Sequence, residues 1–204
     1  MARQLLIATG NKGKLVEFKS FLKGLDFELT DPVEQGLDIL VEEDGKTYSE
    51  NAFKKAAAYA AASGLLTLAD DSGLEVDALG GDPGVHTARF GGPGLEDAER
   101  NAYLLEKIRD VPWEKRTATF RCIIVVLDPN GVSKEFKGTC RGLIAHTPKG
   151  REGFGYDPIF YYPLLGKTIA ELPEEVKQEI SHRGKAARAA IAALSNWPGP
   201  KVYS

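Results

Sequence analysis

The sequence predicts an α/β chain built around a mixed β-sheet. Three stretches carry that reading. A short apolar run gives way to amphipathic helical spacing over residues 3–23. An alanine-rich segment lies between helix start and stop signals over 47–64, and a long extended run ends in Asp128-Pro129-Asn130-Gly131.

Taken in order, residues 3–9 read as a strand and 14–23 as a helix, with Leu15, Phe18, Phe21 and Leu22 on one face and Gly24 as its stop. Thr47-Tyr48-Ser49-Glu50 has capping-box form and opens a helix that ends near Gly64. LLTLADDSGLEVDALGG, residues 65–81, predicts a short apolar strand, a polar turn and a second extended piece. Six Gly and two Pro between Gly80 and Gly94 predict an irregular surface loop. Residues 95–109 have helical spacing. A strand over 117–127 then meets the Asp128–Gly131 hairpin turn, and a returning strand runs to about Gly142. After a loop rich in Gly and aromatics (147–163), the chain is helical from about Pro173 to Asn196, interrupted at Ser181-His182-Arg183-Gly184. There is no internal repeat or low-complexity linker, so one domain is expected over 1–204.

Composition bounds the function. The 204 residues suffice for one sizeable core in two lobes, and 43% hydrophobic with 27% charged residues is ordinary for a soluble globular chain. A net charge of -3 argues against duplex nucleic acid as the main partner. No apolar run approaches a bilayer span, and Met1 is followed by Ala-Arg-Gln rather than a signal peptide. Cys122 and Cys140 lack metal-ligand spacing and read as buried thiols of a reducing compartment, which places the protein in the cytoplasm.

Four stretches have the composition of a chemical site. Thr9-Gly10-Asn11-Lys12-Gly13-Lys14 joins a strand to a helix, where unpaired N–H groups and the helix dipole attract anions. It is not a Walker loop, because Ala8 stands where the first Gly belongs and Leu15 where Ser or Thr would hold magnesium. The plainer alternative is a turn with solvated lysines. Asp70 and Asp71 follow an apolar strand, and as neighbours on an extended chain they point to opposite faces, so one can meet a ligand while the other braces the turn. Glu42, Glu43 and Asp44 precede the capped helix, either as a solvated charge run or, with an aspartate, as the hard oxygen ligands Mg²⁺ prefers. In GFGYDPIF (153–160), two glycines flank Phe154, whose ring is suited to stack on a base, and Asp157 is placed to accept a base N–H. Tyr156, Ile159 and Phe160 read as core. Ser181 reads as an N-cap, and the basic His182 and Arg183 in the first helical turn oppose the dipole, a local misfit typical of functional sites. Arg89 is a surface arginine within reach of a phosphate, and His86 carries no signal.

ATGNKGK, ADDSGLEVDALGG, GGPG, GFGYDPIF and SHRGKA, in this order and spacing, resemble the inosine/xanthosine triphosphate pyrophosphatase family over residues 4 to about 195. The resemblance implies a homodimer of elongated mixed sheets flanked by helices, each chain with two lobes around a nucleotide-binding cleft. It implies Mg²⁺-dependent hydrolysis of deaminated purine nucleoside triphosphates to monophosphate and pyrophosphate, a house-cleaning reaction. Thr9, Gly10, Asn11, Lys12, Gly13 and Lys14 match the family's triphosphate loop, Glu42 a metal ligand, and Asp71 the catalytic carboxylate that also contacts metal. Ser72, Phe154, Gly155, Tyr156, Asp157, Lys177, His182 and Arg183 match substrate contacts. The Arg151-Glu152 pair departs from the family's usual small residues before Phe154. Two other readings compete: a nucleotide-sensing module without turnover, against which intact Glu42 and Asp71 argue, and a pyrophosphatase for ordinary or pyrimidine nucleotides, against which SHR and GFGYD argue.

Overall fold

The structure, a computed structural model, describes residues 3–197, so the domain expected over 1–204 extends beyond the described residues at both ends. The first unit is β1 (Gln4–Ile7), α1 (Lys12–Phe21) and β2 (Glu28–Thr30). Helix α1 begins two residues earlier than its apolar spacing suggests, because the Asn11 side chain accepts from Lys14 N and caps it there. Strand β2 is too short and mixed to give a pattern. Helix α2 (Tyr48–Ser63) follows an irregular segment and ends on Gly64 in the left-handed conformation, as the stop signal predicts. At its start Thr47 accepts from Glu50 N, but the Glu50 carboxylate accepts from Lys46 N rather than from Thr47 N.

The largest departure from expectation is β3 (Leu66–Val76), one continuous strand through Asp70-Asp71-Ser72-Gly73 where a polar turn is predicted. It pairs antiparallel with β4 (Thr117–Leu127) in unbroken register, Asp70 opposite Ile124 and Gly73 opposite Arg121. Tertiary pairing with a long partner strand outweighs the weak strand preference of Asp and Gly. Gly73 is required for space, since a Cβ there would strike the Gly84 carbonyl. After the glycine-rich loop, helix α3 (Asp97–Lys107) precedes β4. The predicted hairpin turn then leads into β5 (Ser133–Ile144), closed by Asp128 N donating to Val132 O. Two short strands, β6 (Phe160–Tyr162) and β7 (Lys167–Thr168), lead to α4 (Glu174–Ile180) and α5 (His182–Leu194). Those helices break at Ser181, as expected. Gly184, however, lies within α5, capped by the Ser181 hydroxyl.

The seven strands form one open mixed sheet in the order β2-β1-β3-β4-β5-β6-β7, parallel across β2-β1-β3 and antiparallel beyond. Strand alternation divides the burial. Leu66, Leu68, Cys122, Ile124 and Val126 face α1 and α5, packing on Phe18, Leu22, Ala186, Ala187 and Ala190. Ala69, Val125 and Leu127 face Ala52, Ala56 and Tyr59 of α2. A further cluster, from Leu74 and Val76 through Leu104 and Phe120 to Ile159 and Phe160, fills the other end beneath α3. The strands β3, β4 and β5 join these cores. Among the described residues no helix is long and apolar enough to cross a membrane, and both cysteines are buried free thiols.

Candidate active site

Asp70 and Asp71 lie in the middle of β3 and, as alternation requires, on opposite faces. Asp70 points toward α1 and α5. It is fully buried, and Lys14 Nζ lies 2.9 Å and Arg183 Nε 3.7 Å from its Oδ2. Burial alone would raise its pKa, but the charges of Lys14, then Arg183 and Lys55, outweigh that and hold the carboxyl well below the usual range. There is no turn for it to brace; it anchors cations instead.

Asp71 points toward α2. Its Oδ2 accepts from Asn51 Nδ2 at 3.1 Å and its Oδ1 from Ser72 N at 2.9 Å. Burial raises its pKa. The Asn51 amide, Lys14 and Lys55 pull the other way, Glu43 adds to the rise, and the net shift is upward. Lys55 spans the two environments, donating to Asp70 O at 2.9 Å and pairing with Glu43 Oε1 at 2.8 Å.

The 9–14 turn meets this strand from the side. Thr9 is buried and accepts from Asn11 N, while Gly10, Asn11 and Lys12 are exposed at the N-terminus of α1. A Cβ on Gly13 would lie 2.6 Å from the Phe154 ring, so glycine is what lets that ring rest on the turn. Gly153 and Gly155, both left-handed, set the bend that carries Phe154 there. Two α3 side chains fix the bend: Asp97 accepts from Gly155 N at 2.7 Å, and Asn101 donates to Gly155 O at 3.0 Å.

Behind Phe154 lies a buried ionic chain. Lys177 Nζ is 4.9 Å and Arg183 Cζ 5.4 Å from the ring centroid. Lys177 pairs at 2.7 Å with both Asp157 and Glu17, and Arg183 donates to Glu17 and to the Ser72 hydroxyl. Glu17 is held below its ordinary value because Arg183 and Lys177 outweigh its burial. The dipole misfit at the start of α5 is thereby resolved: Arg183 is matched by carboxylates, and His182 carries no charge. Its ring stacks on Phe120 at 4.6 Å, and burial, reinforced by Arg183, pushes its pKa well below the ordinary value.

The predicted residues thus converge, with differences. Tyr156 is core, its hydroxyl donating to Thr87 O, so its side chain takes no part in the cleft. Asp157 Oδ2 accepts from Lys177 Nζ at 2.7 Å and from Phe154 N at 3.0 Å, so this carboxylate also belongs to the ionic chain. Glu42 is exposed, its charge acting on Lys54, whereas its neighbour Glu43 lies within electrostatic range of Asp71. Among the described residues no three acidic, His or Cys side chains gather into a protein cage for a metal. Asp71 with one loop glutamate still suits Mg²⁺, which takes one or two carboxylates and completes its shell with water and phosphate oxygens.

Sequence reasoning missed Glu17, Asn51 and Lys55. Each left a trace: Glu17 follows Gly13 by one helical turn, and Asn51, Lys55 and Tyr59 are spaced by four along an alanine-rich helix. Three buried polar atoms in neighbouring side chains have no hydrogen-bond partner: Asp70 Oδ1, His182 Nδ1 and Arg183 Nε. Such groups are costly unless something polar meets them.

The chain is similar to known proteins over nearly its whole length. The dITP/XTP pyrophosphatases of Desulforamulus reducens and Geobacter sulfurreducens are 48% and 50% identical to the chain. They cover 94% and 90% of it and 96% and 92% of their own lengths. A solved HAM1 protein from Coxiella burnetii superposes with a TM-score of 0.87 at 38% identity, covering 95% of this chain and 99% of its own. The Staphylococcus aureus Ham1 protein gives 0.85 at 41% identity, with 96% and 100% covered. A family model described as the Ham1 family matches residues 5–193, and the chain belongs to that family.

Proposed function

We propose that the protein hydrolyses deaminated purine nucleoside triphosphates, those of hypoxanthine and xanthine in ribo and deoxy forms, to the monophosphate and pyrophosphate, with Mg²⁺ as cofactor. Such a cytoplasmic enzyme removes these nucleotides before a polymerase uses them. The observation that carries the reading is one juxtaposition: the Phe154 ring lies on Gly13 of an anion-binding helix start, and Lys14 of that turn pairs with Asp70 at 2.9 Å while its charge also acts on the neighbouring Asp71. A base-sized aromatic surface, a phosphate cradle and a proton acceptor lie within one nucleotide's reach. The names of the relatives support the same substrate class, and the family resemblance supports a homodimer.

Lys12, Lys14 and the first amides of α1 hold the phosphate chain, and their charge eases departure of pyrophosphate. Asp71 accepts the proton of the attacking water; its raised pKa brings it nearer to that task than Asp70, which the surrounding cations keep ionised and weakly basic. Bound Mg²⁺, for which Asp71 and Glu42 or Glu43 are the available ligands, would supply Lewis-acid polarisation of phosphoryl oxygens. Arg183, whose buried Nε has no hydrogen-bond partner, and the backbone amide of His182, which has no acceptor within α5, are donors suited to the 6-oxo group of hypoxanthine or xanthine. Adenine would set its 6-amino donor against those donors. Leaving such groups unpaired costs about 1–3 kcal/mol each.

Pyrophosphate release from a panel of purine and pyrimidine triphosphates at equal concentration, with and without EDTA, tests the proposal. Inosine and xanthosine triphosphates are expected to lead the panel, and EDTA to abolish release. Equal turnover of adenosine triphosphate would contradict the substrate class, and binding without turnover would make the protein a nucleotide sensor.

A further inference from the structure

Asn51 is an amide buried to 1% exposure on a helix face shared with Ala52, Lys55, Ala56, Tyr59 and Ala60. Both of its ends are used. Nδ2 donates to Asp71 Oδ2 at 3.1 Å, and Oδ1 accepts from Gly45 N at 2.7 Å. The amide has one allowed orientation, because the Gly45 N–H can only donate; Oδ1 must face it, which turns the NH₂ group onto Asp71. Gly45 closes the acidic loop that carries Glu42 and Glu43. A Cβ there would lie 2.9 Å from Glu50 Cβ and would also crowd Asn51 Oδ1, so only glycine brings this backbone so near. One side chain therefore fixes both the plane of the Asp71 carboxylate and its distance from the glutamate-bearing loop.

We infer that Asn51 is a positioning residue for the proposed hydrolysis, registering Asp71 against the 42–45 loop. The inference rests on the functional reading above, since it assigns Asn51 to that same reaction. Small misplacements of a reacting group cost large factors in rate, and a strut that sets two loops at once controls that placement.

Two substitutions separate the two contacts. Asn51→Asp keeps the size and the acceptor for Gly45 N–H but replaces the donor to Asp71 with a like charge. Asn51→Ala removes both. The readouts are steady-state kinetics on inosine triphosphate and, in the metal-free protein, hydrogen exchange at the Gly45 amide. In the wild type, Gly45 is expected to exchange slowly. Asn51→Asp should keep that protection and lower kcat about tenfold to a hundredfold, with nucleotide KM within about threefold of wild type. Asn51→Ala should lose the protection as well. The inference is overturned by wild-type kcat in Asn51→Asp, by fast Gly45 exchange in the wild type, or by protection that survives Asn51→Ala. The wild-type exchange rate decides even if a variant fails to fold. A wild type that releases no pyrophosphate refutes the functional reading instead, whereas a turning-over wild type with an undiminished Asn51→Asp refutes only the positioning role.

Discussion

The two faces of β3 hold neighbouring aspartates in opposite electrostatic states. On the α1/α5 face Asp70 is fully buried among Lys14, Arg183 and Lys55, and their charges keep it ionised despite burial. On the α2 face Asp71 meets an amide and a backbone N–H as direct partners, and burial wins. Backbone position differs by one residue; environment sets the role. A carboxylate saturated with cations holds structure, while one left short of them is free to take a proton or a cation from the reaction.

The largest effect that follows is on turnover. Asp71→Asn keeps the shape and removes the basic charge, so kcat should fall by about two to four orders of magnitude while nucleotide binding and melting temperature change little. Near-normal turnover would erase the distinction between the two faces.

Asp70→Asn should show the reverse priority. Lys14 and Arg183 would be left facing a neutral amide in a buried site, and breaking such pairs costs about 3–5 kcal/mol of stability. Because its folded pKa is depressed, Asp70 contributes stability that is fully present above about pH 4 and is lost as pH falls through its lower folded value. Thermal melts from pH 7 to pH 2 should therefore show a smaller acid destabilisation in Asp70→Asn than in the wild type. A melting curve unchanged at every pH would show that the cation cluster does not depend on Asp70.

Base selection should be weaker in energy but sharper in pattern. Arg183→Ala is expected to shrink the kcat/KM ratio of inosine over adenosine triphosphate by about tenfold to a hundredfold. Phe154→Ala should lower both values together, because stacking on a ring ignores base identity. Loss on both substrates with the ratio intact in Arg183→Ala would make this arginine, already bonded to Glu17 and Ser72, a purely structural partner of the ionic chain.

The smallest effect concerns the 42–45 loop. Glu42→Gln should raise the Mg²⁺ concentration for half-maximal rate severalfold, because a hard oxygen ligand loses its charge. Glu43 already neutralises Lys55, so Glu43→Gln should move that titration less. The opposite ranking would assign the metal to Glu43, the residue nearer Asp71.

Most of the element order was legible in the sequence because caps and turns are local chemistry. Thr47, Gly64, the Asp128–Gly131 turn and Ser181 all act within a few residues of themselves, although the Asn11 cap, equally local, went unread. The continuity of β3 was not legible, since Asp70-Asp71-Ser72-Gly73 has turn composition and only pairing with β4, some fifty residues away, keeps it extended. The site divides in the same way. Glycines and charges of the 9–14 turn and of GFGYD raise the question of a ligand in the sequence itself, whereas Glu17, Asn51 and Lys55 are ordinary helix residues until the fold buries them against Lys177, Gly45 and Asp70. Tyr156 lies inside a motif yet has the core side chain that its apolar neighbours predict.

Under the proposed function, the contrast between the two aspartates leads to one chemical event: Asp71 would take a proton from a water attacking the α-phosphorus, with pyrophosphate leaving toward Lys12 and Lys14. Hydrolysis of inosine triphosphate in heavy-oxygen water, with both products weighed by mass spectrometry, tests that event most directly. The label is expected in the monophosphate alone. Label in the pyrophosphate, or a nucleoside diphosphate among the products, would contradict attack at the α-phosphorus and with it the role given to Asp71.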